Sequence, residues 1–402
     1  MTNRLYYNDA YRVAFDAAVV SCEPCNERFE VVLDQTAFYP TSGGQPFDIG
    51  TLGDAIVQDV IDRDDGTIAH IVDRQVAVGT TVQGAIDWRR RFDHMQQHTG
   101  QHVLSAAFDR LFAVRTESFH LGVASATIDL GREVTAQQIA AATKESNRIV
   151  CEDRPVIVRF ASAVEARAMP LRKESRRTGP LRLVEVEDFD LSACGGTHVG
   201  RTGAIGLIAV ASWEKFRGGS RVEFLCGSRA LARFEAWRDA LAATTQRLSV
   251  APADLAAAIE KLQLESKALQ KTVRAQQEQL AGYEAHALVA RAERAGDRLL
   301  VVDALEGWDA AGLKALATSA TAIAPSVAVA LFSRADPPVV VIAAGRDAQV
   351  DAAAVLKTLA ARFGGKGGGK RELAQGGGFG APLEQLLEAA RAELLKAESA
   401  DS

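Results

Sequence analysis

Two histidines four residues apart, His98 and His102 in QQHTGQH, and a cysteine and histidine at the same spacing, Cys194 and His198 in CGGTH, are the residues best equipped for chemistry. A helical turn takes about 3.6 residues, so the first pair presents both imidazoles to one side of a helix. In the second pair, Gly195 and Gly196 permit a tight turn that folds the flanking side chains inward. Imidazole with thiolate is a borderline-soft ligand set that suits zinc. Ligands arriving as two close pairs on distant segments are typical of an ion that ties a fold together. His94 extends the first pair to a run at i, i+4 and i+8, as a further ligand, a partner of a ligand or a surface residue. No His-Glu-x-x-His occurs, so a metalloprotease helix is not indicated.

Four segments must position these groups, and together they give an α+β fold class. Residues 1–90 carry short runs rich in Val, Ile and Thr, separated by Gly and Asp, which predict a β-barrel-like entry domain. Residues 91–228 predict an α+β core that contains the metal ligands, opening on a helix with Met95, Val103, Leu104, Ala107, Phe108 and Leu111 on its apolar side. Residues 229–295 read as a helical arm, broken near Pro252. In its second helix Leu255, Ile259, Leu262, Ser266, Leu269, Val273, Gln276, Leu280 and Tyr283 alternate spacings of three and four. That is a heptad seam with two polar positions, either packed on its own chain or, as favoured here, joining two chains as a homodimer. Residues 296–402 alternate apolar strands with Ala-rich helices, predicting an α/β domain around a buried sheet.

Composition narrows the classes. The chain has 402 residues, 48% hydrophobic and 24% charged, as expected of a multidomain globular protein. No apolar run reaches the roughly 18 residues that span a bilayer, and the polar start resembles no signal peptide. These features predict a cytoplasmic protein without a membrane partner. Five cysteines argue against a disulfide framework, and a net charge of −5 argues against blanket nucleic-acid binding while leaving room for local basic patches.

Five motifs in order, FYPTSGGQPFDIG, QHTGQHVLSAAF, SFHLG with TIDL, CGGTHVGRTGAIG and GGSRVEFLCG, resemble the editing domain of alanyl-tRNA synthetases, and most closely the free-standing AlaX editing proteins. GGKGGGKRELAQGGG is similar to the glycine-rich signature of the DHH-associated C-terminal domain of the same enzymes. The aminoacylation core is missing ahead of the barrel, so the resemblance is to a long-form AlaX protein that does not charge tRNA. It implies hydrolysis of the ester in mischarged Ser-tRNA(Ala), and of Gly-tRNA(Ala), with Zn2+ held by His98, His102, Cys194 and His198. It also implies a pocket in which Thr41 or Gln45 contacts the seryl hydroxyl and His120 orients water or binds the terminal ribose. Synthetases often carry Glu where this chain has Thr41, which puts the details of selectivity in question.

Basic residues supply candidate tRNA contacts. Arg172, Arg176 and Arg177 lie just ahead of CGGTH and suit a clamp on the acceptor end. Lys366, Lys370 and Arg371 stand in the glycine cluster, where exposed backbone N–H groups can cradle phosphate. The cluster nearly spells a Walker A loop, but Arg371 occupies the position of the Mg²⁺-holding Ser or Thr, which argues against an NTPase. A nucleic-acid phosphoesterase would need an Asp-His-His motif that the sequence lacks. A non-catalytic tRNA-binding module remains the other alternative. Cys22 and Cys25 have knuckle spacing without a second pair.

Overall fold

The computed structural model describes residues 1–172 and 180–396, so Arg176 and Arg177 lie outside the described residues. The chain divides into two compact units, 1–244 and 245–402. The architecture is mixed α+β, as the sequence predicts. No described helix is long and apolar enough to cross a membrane.

The first unit opens with the expected barrel, now closed. Its strands follow the order Ala14–Cys25, Arg28–Leu33, Ile68–Val72, Ala55–Asp62, Gly50–Leu52 and Thr81–Ile86, all neighbours being antiparallel. Alternating residues such as Phe15, Ala17 and Val19 fill the interior with Val31, Leu33, Val57 and Phe38. Gly84 is required there, because a Cβ would sit 2.4 Å from the Phe15 ring.

The helix Trp88–Phe112 follows directly, capped by Asp87, whose carboxylate accepts from Arg90 N–H. Its first turns are locked to the barrel by Arg91, which is fully buried. Arg91 forms an ion pair with buried Asp48 and donates to the carbonyls of Ala10 at 2.8 Å and Ala37 at 2.6 Å. Asp48 also accepts from Tyr39 N–H at 2.7 Å, which fixes the loop that carries Gln45. Gly100 in mid-helix has a helix-propensity cost of about 1 kcal/mol. The packing explains it: a Cβ would lie 2.2 Å from Cys226 Sγ, so glycine lets the helix press onto the strand Gly219–Cys226.

Two antiparallel sheets complete this unit. One runs Ile208–Phe216, Gly219–Cys226, Ala126–Leu130, Thr116–Leu121, and the other Val156–Ala161, Leu181–Val186, Asp190–Ala193. Helices Trp88–Phe112 and Ala136–Cys151 share one core with the first sheet through Phe108, Ile128, Ile149, Val222 and Phe224.

The helical arm is divided differently from the expected 229–295 segment. The helix Gly227–Leu248 ends before the 3-10 turn Pro252–Asp254, where the sequence places a break, and most of it belongs to the first unit. The long helix Leu255–Ala290 belongs to the second unit, because Ala281, Ala285 and Leu288 are buried against Leu313, Leu316 and Ala317 of the helix Ala310–Ile323.

The second unit is a six-stranded sheet in the order Glu293–Ala295, Arg298–Leu305, Val327–Ser333, Val339–Ala344, Leu373–Gly377, Lys366–Lys370. Helices cover both faces, which explains the continuous apolar strands. Only Arg298–Leu305 and Val327–Ser333 pair in parallel, so the sheet is mixed rather than a run of parallel crossovers. The glycine cluster is also more regular than a phosphate-cradling loop: Lys366–Lys370 is the outermost strand, hydrogen-bonded to Leu373–Gly377. Gly367 and Gly369 are required by this pairing, since a Cβ at either would approach the neighbouring backbone within 2.6 Å.

Candidate metal centre and cleft

His98 and His102 project from one side of their helix toward the turn that follows the strand Asp190–Ala193, where Cys194 and His198 lie. One ligand atom from each of the four residues falls within 4.8 Å of all the others. Cys194 Sγ is 3.4 Å from His98 Nε2 and 3.4 Å from His198 Nε2. The three histidines are nearly fully buried.

The other ring nitrogen of each histidine has its own partner. His98 Nδ1 lies 2.8 Å from Gln45 Oε1, His102 Nδ1 2.9 Å from Asp190 Oδ2, and His198 Nδ1 3.2 Å from Thr99 Oγ1. Such contacts fix ring orientation and leave Nε2 to face the sulfur. The donor set therefore fits a metal ion: three oriented imidazole nitrogens and one sulfur converge from two segments.

Without metal, the electrostatics favour thiolate at Cys194 and a proton on His102, and a bound ion would displace that proton. Burial works to raise the Cys194 thiol, but His98, His198 and hydrogen bonds from His102 and His198 hold it well below its ordinary value, favouring thiolate. Burial opposes a charge on His102, yet the Asp190 carboxylate and Cys194 raise it to about 9. Asp190 is held at about 2 against its burial by His102 and Arg172. Burial lowers His198 to about 3.

Of the two glycines in CGGTH, Gly196 is the one that sterics demand. A Cβ there would lie 2.2 Å from His98 Cε1, whereas one at Gly195 would meet nothing closer than 3.8 Å. Close approach to a ligand ring, not an unusual backbone angle, is the reason for this glycine.

The cluster opens on a cleft of about 660 Å³, walled by Tyr7, Tyr39, Gln101, Thr116, Phe119 and Arg182 among others. Phe119 stacks on His98 with ring centres 5.3 Å apart. Gln101 Nε2 and Thr116 Oγ1 both donate to Ser105 Oγ, at 2.8 and 2.7 Å, placing two polar side chains beside the ligands.

The residues expected in the substrate pocket separate here. Gln45 is buried beneath the cluster instead of facing the cleft. Its oxygen accepts from Thr197 N–H at 3.1 Å as well as meeting His98, and its Nε2 donates to Thr197 Oγ1 at 2.8 Å. Thr41 is exposed beside Ser42 and Gly43, which line the cleft. Its oxygen accepts from Phe47 N–H at 3.1 Å, leaving the hydroxyl hydrogen free to donate. His120 is exposed and does not line the cleft, and it is the neighbouring Phe119 that meets His98.

The basic candidates also fare differently. Arg172 lines the cleft, but its Nε donates to Asp190 Oδ1 at 2.6 Å. Lys366, Lys370 and Arg371 are exposed in the second unit. His94 is buried outside the four-residue cluster and its Nδ1 has no partner among the described residues. Cys22 and Cys25 belong to no metal-binding group among the described residues.

Asp190 and Thr99 do not stand out in the sequence as site residues, whereas Arg182 closes the basic run LRKESRRTGPLR that suggests an acceptor-end clamp. The only signal for Asp190 is an acidic residue four positions before Cys194, in a segment otherwise rich in surface carboxylates.

Comparison with known proteins agrees with this arrangement. Residues 9–90 match the family described as tRNA synthetases class II (A), residues 181–223 the threonyl and alanyl tRNA synthetase second additional domain, and residues 296–396 the DHHA1 domain. The chain is 31% identical over 387 residues to the alanyl-tRNA editing protein AlaX-L of Pyrococcus horikoshii, covering 94% of both chains. It is 35% identical to the alanyl-tRNA editing protein Aarsd1 of Mus musculus, covering 71% of this chain and 73% of that one. Against the alanine–tRNA ligase of Pyrococcus furiosus, identity is 32% over 93% of this chain but 42% of the ligase. The chain belongs to the family of alanyl-tRNA editing proteins, hydrolases that deacylate mischarged tRNA.

Proposed function

We propose that this protein is a zinc-dependent hydrolase acting in trans on tRNA(Ala) mischarged with serine, and also with glycine. The observation that carries this reading is the convergence of His98, His102, Cys194 and His198, the first three lining an open cleft and each imidazole held from behind. Zinc held by three of the four residues would supply Lewis acidity toward an ester carbonyl or a water, and zinc held by all four would be structural. The chain's own groups bind and orient the substrate. An aminoacyl ester is already activated, so placing it beside a water accounts for much of the acceleration.

Selectivity follows from unpaired polar groups. Serine differs from alanine by one hydroxyl, and a site that hydrogen-bonds this hydroxyl is left with an unsatisfied partner when alanine enters. The Gln101 amide oxygen in the cleft wall, and the Thr41 hydroxyl hydrogen next to the cleft residues Ser42 and Gly43, are the groups suited to that contact. Purified protein should deacylate Ser-tRNA(Ala) and Gly-tRNA(Ala) faster than Ala-tRNA(Ala), and a chelator that strips the metal should abolish the activity. Thr41→Val should slow serine release while leaving the alanine background unchanged. Activity that persists in protein shown to be metal-free would sink the zinc assignment, and binding of tRNA without hydrolysis would favour the non-catalytic alternative.

Lys366, Lys370 and Arg371 are proposed to contact the tRNA backbone. They stand at the outer edge of a sheet, exposed, with glycines between them that present no side chain. Each phosphate contact contributes about 0.9 to the slope of log affinity against log salt. Replacing all three with alanine should therefore flatten that slope by roughly 2 to 3. An unchanged slope would remove these residues from the interface.

A further inference from the structure

Arg182 lies on the strand Leu181–Val186, 8% exposed, in the wall of the cleft. Its Nε donates to Tyr7 O at 3.1 Å. One terminal nitrogen donates to Cys194 O at 2.8 Å and Gly196 O at 2.9 Å. The guanidinium also lies 5.5 Å from the centre of the Tyr7 ring. All its hydrogen-bond partners are neutral carbonyls, and no carboxylate pairs with it among the described residues.

The other cationic side chains of the cleft are neutralised. Arg4 forms a two-pronged pair with Asp62, at 2.7 and 2.6 Å, and Arg172 is held by Asp190. The Cys194 sulfur, which as thiolate favours the Arg182 charge, is itself taken up by the three imidazoles. Among the described residues, Arg182 is thus a nine-tenths buried cation without a carboxylate, and its second terminal nitrogen has no hydrogen-bond partner there. A guanidinium stays charged at any physiological pH. Burying one without an anion is costly, so such a group is suited to an anion brought by the ligand.

The position suggests which anion. Arg182 grips the carbonyls of ligand Cys194 and of Gly196 in the same turn, so it stands beside the place where an ester would meet the cluster. In aminoacyl-tRNA the ester oxygen and the 5′-phosphate of the last nucleotide are separated by one ribose. We infer that Arg182 takes this terminal phosphodiester, so that the cleft recognises the end of the nucleic acid independently of the amino acid. The inference rests on the reading of the cleft as the site of ester hydrolysis. Binding energy taken from this non-reacting phosphate would orient the ester for attack.

The test uses the full, metal-loaded chain with adenosine and adenosine 5′-monophosphate as probes, their binding measured by calorimetry so that the result does not depend on turnover. The monophosphate should bind at least about tenfold more tightly than adenosine, a difference of about 1.4 kcal/mol. Arg182→Gln should erase the difference, and Arg182→Lys, which keeps the charge but loses the fork, should retain part of it. Metal content is measured in each variant. If Arg182→Gln loses its metal because the turn loosens, the lysine variant and the wild-type comparison still decide. Equal binding of the two probes by wild type would overturn the inference. So would a phosphate preference that survives intact in a metal-loaded Arg182→Gln, because the phosphate would then be read elsewhere. Failure of wild type to deacylate Ser-tRNA(Ala) would instead count against the functional reading and leave the phosphate measurement standing on its own.

Discussion

Asp190→Ala will lower metal affinity by about 10- to 100-fold, the range found when a partner behind a metal-binding histidine is lost. The Asp190 side chain is fully buried and accepts from two donors at once: His102 Nδ1 at 2.9 Å and Arg172 Nε at 2.6 Å. Ser192 Oγ donates to both of its oxygens, at 3.2 and 3.0 Å. Removing the carboxylate frees the His102 ring to rotate and leaves the guanidinium of Arg172 in the cleft wall without its partner. Breaking a buried pair from one side costs about 3–5 kcal/mol, because the remaining charge has lost its compensation. Arg172 keeps some access to solvent, so the loss should fall toward the lower end of that range. Asp190→Asn should fall between, since an amide oxygen still accepts from His102 but brings no charge to Arg172. Competition with a chromophoric chelator reads the affinity, and urea unfolding of metal-free protein reads the stability. Wild-type metal affinity in Asp190→Ala would show that His102 needs no support from behind.

The second large effect concerns assembly. The long helix Leu255–Ala290 leaves its heptad seam in water: Ile259, Leu262, Leu269, Val273, Leu280 and Tyr283 are between 41% and 79% exposed. The face that packs inside the second unit is a different one, carrying Ala281, Ala285 and Leu288. A largely apolar stripe over about four heptads is long enough for a coiled coil, and exposed apolar surface on this scale marks an interaction site. Ser266 and Gln276 interrupt the stripe, costing stability while fixing register. The flanking positions Gln263, Gln270 and Gln277 present no like charges to oppose a second copy. Light scattering at micromolar concentration should give twice the 42.9 kDa of one chain. The double substitution Leu269→Lys with Val273→Lys should return a monomer of unchanged helix content. A wild-type monomer would assign the stripe to another partner.

Much of this architecture can be read from residue order because it is local. The barrel strands announce themselves by alternation, and the ligands by spacing within a turn. The supports of the ligands are invisible for the opposite reason. Gln45, Thr99 and Asp190 reach across 53, 99 and 88 residues to the rings they hold, and nothing in the neighbourhood of a Gln or an Asp names a partner so far away. The pocket assignments show a second limit. Phe119 and His120 are adjacent, and only the register of their strand decides that the phenyl ring, not the imidazole, meets His98. The glycines illustrate a third, since a run that looks like a flexible loop is a strand whose partner approaches too closely for side chains.

The long reach of these contacts also sets an order of events. His98 and His102 are synthesised some ninety residues before Cys194 and His198, and the glutamine that steadies His98 belongs to a barrel made earlier still. On a ribosome the barrel and the histidine helix can fold as they emerge. The ligand set cannot close until His198 has left the exit tunnel. Metal capture is therefore a late long-range step, paid for by closing a loop of about a hundred residues and followed by the docking of the strand Gly219–Cys226 on Ala126–Leu130 and on the histidine helix. An ion bound at that moment seals contacts already made, so nascent chains stalled before residue 198 should fold their barrel yet hold no metal tightly, and those released beyond it should load at once.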